Sequence, residues 1–266
     1  MTHAAARIID HARMFSSDKE IEDFYAETGY VSVKDCIPLD SIKNLQRKLN
    51  DFLACCAPDM GANFDEICIN LDKKDKKLLY ELYKAGSNLA AFKNVSKALS
   101  EIVKKINGKN VPALEVNIAF LIGLPKDKRL VYEFHQESSY DSIDVKKFDN
   151  IINVHYPIFR KSSLANGTMS ALVSSHKLGP LPGDIKRAAD NALGSVIPQN
   201  IEAIVKMHPE VHFELEVGDC LFFHKDLVHR SNFNGTDLCR PIGTSRLFQA
   251  FSSDFIKKIP AAPVNS

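Results

Sequence analysis

Two short stretches that lie far apart in the chain carry side chains able to hold a metal ion. The first is Phe134-His135-Gln136-Glu137, and the second runs from residue 222 to residue 231 and contains His229. On a β-strand, His135 and Glu137 point to the same side because strand side chains alternate with a period of two. Two imidazoles and one carboxylate are the ligand set of non-haem Fe(II) centres that keep coordination positions open. The sequence therefore predicts a metal centre in which His135 and Glu137 are joined by a histidine from a distant strand, with His229 as the candidate.

The spacing of His135 and Glu137 is weak evidence by itself. A histidine two residues before an acidic residue occurs four times, whereas nine histidines and 33 acidic residues among 266 predict about one by chance. The His208/Glu210 pair flanks a proline, which is poor strand context. The His212/Glu214 pair is expected on the exposed face of a strand. The His224/Asp226 pair is the serious competitor, but with His229 it would place three ligands on one strand and its turn, with none from an opposing sheet.

Arg240 is an independent indication of a binding site, because it follows His229 by eleven residues. At that distance it is expected on the next antiparallel strand, facing the same interior. A guanidinium is well suited to bind a carboxylate with two hydrogen bonds in a partly buried site. Ser231 shares the face of His229 and is expected to donate its hydroxyl to the same carboxylate. Arg246 is the alternative anchor.

Helical patterns precede residue 110 and strand patterns follow it. A capping box at Ser17 to Glu20 predicts a helix that ends at Gly29, followed by a short strand over Tyr30–Val33. Further helices are predicted from about residue 40, over 74–85, and over 95–106 with Gly108 as the end. Strands are then predicted over 111–124, 129–138, 150–159, 167–173, 212–217, 220–224, 228–232 and 246–251, with a helical patch at 185–193. Eight short strands after helices predict a mainly β fold with α, a double-stranded β-helix (cupin-like jelly roll) with helices packed outside.

Composition places this fold in one soluble domain. The chain has 266 residues, 45% of them hydrophobic, and a net charge of +1, so we expect neither nucleic acid nor membrane as a partner. Six cysteines without a C-x-x-C pair, and no apolar leader over residues 1–15, predict free thiols in the cytoplasm. We expect a monomer or homodimer: a helical part over 1–110, a jelly-roll core over 111–253 with an insert near 179–210, and a tail over 254–266.

Four segments in order resemble the phytanoyl-CoA dioxygenase family of Fe(II)- and 2-oxoglutarate-dependent oxygenases. They are His135-Gln136-Glu137, Asn166-Gly167-Thr168 with Ser174-Ser175-His176, Gly218-Asp219-Cys220-Leu221-Phe222-Phe223-His224, and His229-Arg230-Ser231 with Arg240. The opening stretch from Phe24 to Val33 is also similar to the family, so the resemblance covers residues 17 to 253.

The resemblance implies a role for each site residue. His135, Glu137 and His229 would bind Fe(II), while Arg240 and Ser231 would hold the distal carboxylate of 2-oxoglutarate. The cosubstrate would react with O2 to give succinate and drive hydroxylation of a small-molecule or carrier-linked substrate.

Two departures from the family pattern concern the same site. Glu137 stands where the family has aspartate, and His155 stands where the family often has a tryptophan near the cosubstrate. His155 is therefore a candidate for the cosubstrate site, and His176 is interpreted as structural.

Other functions remain open on the sequence alone. A halogenase would need a vacant position in place of the carboxylate, and Glu137 argues against that. A jelly roll that has lost iron and only binds a ligand is favoured by the Glu137 departure, but the presence of His135, His229, Ser231 and Arg240 together argues against it. A protein hydroxylase, or an oxygenase of the same class with an outcome other than hydroxylation, is a further alternative.

Overall fold

The computed structural model describes residues 7–107, 113–129, 131–140, 151–186 and 195–249. Its helices are α1 (Asp18–Thr28), α2 (Leu39–Cys56), α3 (Phe64–Lys74), α4 (Lys76–Gly86), α5 (Phe92–Ile106) and α6 (Ile201–Met207). Its strands are β1 (Arg7–His11), β2 (Tyr30–Val33), β3 (Ala113–Gly123), β4 (Ile152–Pro157), β5 (Met169–Leu172), β6 (Gly183–Lys186), β7 (Ser195–Pro198), β8 (Glu210–Glu214), β9 (Cys220–His224), β10 (His229–Ser231) and β11 (Arg240–Gln249).

The first helix begins and ends where the sequence predicts. The Ser17 hydroxyl accepts a hydrogen bond from the backbone N–H of Glu20 at 3.2 Å, which satisfies one of the free donors at the helix start. Gly29 ends the helix in a left-handed conformation with φ of 83°. The chain can then turn directly into β2, which pairs with β9.

Two sheets face each other across the interior, as the jelly-roll prediction requires. The larger sheet has the order β2-β9-β4-β11-β3, and the smaller has the order β1-β8-β5-β10. The pairings are antiparallel except that of β1 with β8. The predicted double-stranded β-helix is confirmed.

Helices α1 to α5 pack on the outer face of the larger sheet. One buried cluster joins helical residues such as Leu49 and Leu99 with Phe120, Val154 and Phe222 of the sheet. Tyr156 lies against Gly243 on the neighbouring strand, where a Cβ atom would meet the tyrosine ring at 2.1 Å. This layer leaves the opposite face of β3, β4 and β11 turned toward the barrel interior.

Several predicted boundaries are wrong. The predicted strand over 129–138 does not form: in the described residues 131–140, only His135 makes a bridge, and Glu137–Ser139 is a 3₁₀ turn. Residues 7–11, where no strand is predicted, form β1. The last strand begins at Arg240 rather than Arg246, so Arg240 and Arg246 share β11.

The remaining differences concern helices. The segment 57–72, which has no clear sequence pattern, contains most of α3, whose start is capped by Asn63. In the predicted helical patch over 185–193, Ile185 and Lys186 belong to β6, and the rest lies outside the described residues. Gly108 and the tail over 254–266 also lie outside them. Within the described residues, every helix falls short of the length and apolar character needed to cross a membrane.

Candidate metal centre

Three side chains converge at the mouth between the two sheets. Glu137 Oε1 lies 3.6 Å from His229 Nε2 and 3.8 Å from His135 Nε2. Among the described residues, no other group of three histidine, cysteine, aspartate or glutamate side chains comes this close together. The predicted ligands are therefore neighbours, and we propose below that they bind the metal.

The backbone places the two histidines side by side. His135 and His229 form an isolated antiparallel bridge, with N–H to O distances of 2.9 Å and 3.0 Å in the two directions. Their imidazole centroids are 4.2 Å apart. This bridge replaces the predicted strand, so one residue pair aligns the two side chains.

The hydrogen bonds of both rings leave the inner nitrogen atoms free to bind a metal. The Nδ1–H of His135 donates to the Glu133 carbonyl at 2.6 Å, and that of His229 donates to the Leu227 carbonyl at 2.9 Å. With a proton on Nδ1, a neutral imidazole presents the lone pair of Nε2, the usual arrangement in metal-binding histidines. Burial is the main cause that lowers the pKa of His229 below its ordinary value, which favours the neutral ring.

Glu137 presents its two carboxylate oxygens to different partners. Oε1 faces the two imidazoles, and Oε2 accepts a hydrogen bond from the Arg246 guanidinium. Burial alone would raise the pKa of Glu137, but its interactions with His135, His229 and Arg246 hold that pKa well below its usual range. The side chain, which is 15% exposed, is therefore an anion, the charge state that a divalent metal ion requires of a carboxylate ligand.

Gln136 fixes the loop that carries the first two candidate ligands. It is fully buried, and its amide nitrogen donates to the carbonyls of Gly179 at 2.9 Å and Asp226 at 2.6 Å. Its amide oxygen accepts from the backbone N–H of Leu181 at 2.8 Å. Three hydrogen bonds thus hold the residue between His135 and Glu137, where no sheet ladder does so.

The triad opens into a cavity of about 320 Å³ that also contains the predicted cosubstrate residues. Arg240, Ser231 and His155 line it, together with Tyr132, Tyr140, Asn153, Thr244 and Arg246. This volume is within the usual range for small-molecule sites.

Arg240 brings into this cavity a hydrogen-bond donor that is unsatisfied among the described residues. Burial lowers the pKa of Arg240 to about 10, which still leaves the guanidinium charged at neutral pH. Its Nε is buried without a hydrogen-bond partner in the described part of the chain. Opposite it on β3, Gly123 carries no side chain, and a Cβ there would lie 3.6 Å from the guanidinium. A charged, unpaired guanidinium in a cavity is a site for an anion.

His155 faces the same cavity from β4. Its ring meets Phe223 edge-on with centroids 5.0 Å apart. Burial is the main cause that lowers the pKa of His155 to about 3, so the ring is neutral at neutral pH. The structure thus places His155 on the cavity wall but outside the cluster of three candidate ligands.

The competing histidine pairs lie outside the cluster. His224 Nδ1 accepts the backbone N–H of Asp226 at 3.1 Å, and the His224 ring lies beside His176. His212 is 6% exposed and its Nδ1 shares a hydrogen bond with the Ser170 hydroxyl, so the expected exposed position is wrong. This polar pair can be buried where β5 and β8 meet because the histidine ring and the hydroxyl form a hydrogen bond with each other.

Several cavity residues carry no motif that indicates them in the sequence. Asn153, Thr244 and Tyr132 line the cavity without such a motif, and Arg246 is expected only as an alternative anchor. Alternation along β11 was the available signal, because Arg240, Ile242, Thr244 and Arg246 share one face of the strand. A strand predicted to begin only at Arg246 does not show this alternation.

Cupin-like β-helix enzymes that use non-haem iron and 2-oxoglutarate are the class in which this fold and this donor set occur together. The chain belongs to the phytanoyl-CoA dioxygenase family, whose model matches residues 25–242.

Individual relatives are distant but cover most of the chain. A probable phytanoyl-CoA dioxygenase of Caenorhabditis elegans is 23% identical over 239 residues, which are 86% of this chain and 75% of the relative. The peroxisomal phytanoyl-CoA dioxygenase of Homo sapiens is 23% identical over 226 residues, 82% of this chain and 64% of the human protein. This chain thus spans somewhat less than two thirds of the human relative.

Solved structures share the fold at low sequence identity. EvdO2 from Micromonospora carbonacea var. aurantiaca, complexed with 2-oxoglutarate, has a TM-score of 0.60 at 13% identity and covers 90% of this chain and 94% of its own. The epimerase SnoN, in complex with Fe3+, alpha ketoglutarate and nogalamycin RO, has a TM-score of 0.59 at 14% identity, with coverage of 92% and 91%.

Proposed function

We propose that this protein is an Fe(II)- and 2-oxoglutarate-dependent dioxygenase that hydroxylates a small-molecule or carrier-linked metabolite. The observation that carries the proposal is the convergence of two imidazole Nε2 atoms on one carboxylate oxygen, at 3.6 Å and 3.8 Å, in a cavity that also contains Arg240, whose Nε has no hydrogen-bond partner among the described residues. The donor set suits iron because both imidazoles present lone pairs and the carboxylate is ionised.

In this proposal His135, Glu137 and His229 hold Fe(II), and the distal carboxylate of 2-oxoglutarate binds Arg240 and Ser231. Bound iron and cosubstrate supply the oxidising power: R–H, O2 and 2-oxoglutarate give R–OH, succinate and CO2. His155 is neutral and lines the part of the cavity in which the distal carboxylate of the cosubstrate would bind. Arg240 therefore supplies the positive charge for that carboxylate.

The position of the two arginines on β11 supports Arg240 as the anchor. Six residues of strand separate them, a distance of roughly 20 Å at about 3.3 Å per residue. Arg246 pairs with Glu137 and therefore lies at the metal end of the cavity. Arg240 lies at the other end, where an elongated dicarboxylate bound to iron at one end can place its second carboxylate.

The same side chains also distinguish the proposed function from its alternatives. The buried carboxylate of Glu137 occupies the position that a halogenase leaves vacant, so halogenation is disfavoured. The non-catalytic alternative predicts a disrupted donor set, whereas these three side chains are oriented by hydrogen bonds. An outcome other than hydroxylation is the second candidate, because a neighbour in fold is an epimerase.

We further propose that helices and sheets form one oxygenase domain, acting in the cytoplasm as a monomer or homodimer on a small-molecule substrate. Light scattering of the purified chain measures the oligomeric state, and a larger assembly would contradict that part.

The proposal is tested by oxygen-dependent turnover. Fe(II)-loaded protein incubated with 2-oxoglutarate and O2 is expected to release succinate, and more in the presence of a substrate from a metabolite panel. Mass spectrometry under ¹⁸O2 then distinguishes hydroxylation, with one labelled oxygen in the product, from epimerisation, with none. Failure of the iron-loaded protein to bind 2-oxoglutarate would refute the proposal, and Arg240→Met serves as the negative control.

A further inference from the structure

The second carboxylate oxygen of Glu137 is held by an arginine rather than left free. We propose that Arg246 is a positioning residue for the metal centre: by binding Oε2 of Glu137, it presents Oε1 alone to the two imidazoles. The inference rests on the proposed function, because it assigns a role within the same site.

The surroundings of the pair make this contact specific. The Glu137 and Arg246 side chains are 15% and 21% exposed, so water screens their interaction only in part. Arg246 stands on β11 beside β4, in register with Asn153, and its side chain reaches the 3₁₀ turn that begins at Glu137. A rigid strand thus holds the carboxylate of a residue that lies in a turn.

The pair also accounts for a glutamate at a position where the family has aspartate. The extra methylene lengthens the side chain by about 1.5 Å, which lets the carboxylate face the imidazoles and Arg246 together. It also adds a rotatable bond, and so increases the orientations that the free carboxylate can adopt. Arg246 removes that freedom, as hydrogen bonds to metal-ligating carboxylates generally do.

The inference predicts coupling between residues 137 and 246. Arg246→Met should weaken Fe(II) binding by about 10- to 100-fold, the usual effect of losing a partner that orients a metal ligand. The shorter side chain in Glu137→Asp withdraws the carboxylate from Arg246. Arg246→Met should therefore have little further effect in the Glu137→Asp background.

The experiment compares four proteins: wild type, Arg246→Met, Glu137→Asp and the double variant. Fe(II) affinity is measured anaerobically by competition with a chromogenic chelator, and 2-oxoglutarate affinity is measured separately at saturating iron. Arg129→Met is the matched control, because Arg129 pairs with Asp72 and Asp127 outside the cavity. Circular dichroism and thermal melting confirm that each variant is folded, and Arg246→Lys, which keeps one donor, should give an intermediate iron affinity.

Each outcome has a definite meaning. The inference is supported if Arg246→Met binds iron more weakly than wild type and if the same substitution has little effect in the Glu137→Asp background. Arg129→Met should bind iron as tightly as wild type. Unchanged affinity overturns it, and tighter affinity overturns it in favour of an arginine that competes with iron for Glu137. Equal weakening in both backgrounds overturns it as well. If wild type binds no iron, the proposed function itself fails, which this series distinguishes from failure of the inference alone.

Discussion

Replacing Arg240 by methionine should make the protein more stable without 2-oxoglutarate and less stable with it. Burial lowers the pKa of Arg240 to about 10, well below its usual value. The charged form of Arg240 is therefore less stable, relative to the neutral form, in the folded protein than in the unfolded chain. At pH 7 Arg240 is charged in both states, so the whole of this difference lowers the stability of the folded protein. The full difference corresponds to about 3 kcal/mol at about 1.36 kcal/mol per pKa unit.

The expected gain is smaller than this figure because the guanidinium borders a cavity that water can enter. We expect Arg240→Met to raise the free energy of unfolding of the iron-loaded protein by about 1–2 kcal/mol, since methionine keeps the apolar part of the side chain and removes the unpaired charge.

Adding 2-oxoglutarate should reverse the order. Removing an arginine that binds a carboxylate in a buried site costs about 2–5 kcal/mol of binding free energy. Arg240→Met should therefore weaken the binding of 2-oxoglutarate by about 100-fold, which corresponds to roughly 3 kcal/mol. At 100 times the wild-type Kd, the cosubstrate stabilises wild type by about 2.7 kcal/mol, whereas a variant with 100-fold weaker binding gains about 0.4 kcal/mol. The wild type should then be the more stable protein.

Anaerobic urea denaturation of both Fe(II)-loaded proteins, with and without 2-oxoglutarate, measures all four free energies. Arg129→Met is the control, because it removes ion pairs outside the cavity and should respond to the cosubstrate as wild type does. The reasoning is refuted if Arg240→Met is less stable than wild type without 2-oxoglutarate and gains as much from it.

Two further predictions concern the surroundings of the site. Gln136→Leu removes three hydrogen bonds, of which the one to the Asp226 carbonyl is fully buried and the other two are partly buried. The variant should therefore lower the free energy of unfolding by about 3 kcal/mol and weaken Fe(II) binding. An unchanged iron affinity in a folded variant would contradict the role given to this loop. Burial lowers the pKa of His224 to about 4. Because the unfolded chain then binds a proton on this residue more readily than the folded protein does, the free energy of unfolding should fall by about 1–2 kcal/mol as the pH drops from 6.5 to 4. His224→Asn can still accept the N–H of Asp226, and it should lose this part of the pH dependence in urea denaturation; an unaltered slope would show that other groups cause it.

The sequence was sufficient for the chemistry of the site but not for the backbone that builds it. His135, Glu137 and His229 are recognisable as metal-binding types, and the change of period near residue 110 indicated a β-rich core. The strand expected around His135 does not form, because its alignment with His229 comes from one backbone bridge and from Gln136. These contacts join residues 90 or more positions apart, and no local pattern reports them.

The start of β11 shows the same limit. Pro241 follows Arg240 directly and interrupts the strand pattern, yet both residues are in register with β3. Proline is tolerated there because Pro241 lies near the start of β11, before the register with β4 begins at Ile242. The consequence for function was substantial, since the face shared by Arg240 and Arg246 became visible only in the structure. His212 is a similar case: its burial depends on Ser170 from another strand.

The most direct test of the central claim is an anaerobic titration of the protein with Fe(II) and 2-oxoglutarate, followed by visible absorption. A weak charge-transfer band should appear in wild type when the cosubstrate chelates the iron, and it should be absent or altered in Glu137→Ala. In Arg240→Met, the band should require about 100-fold more 2-oxoglutarate, as the lost carboxylate contact predicts. No band and no bound iron in wild type would contradict the account and favour a jelly-roll protein that binds ligands without catalysis.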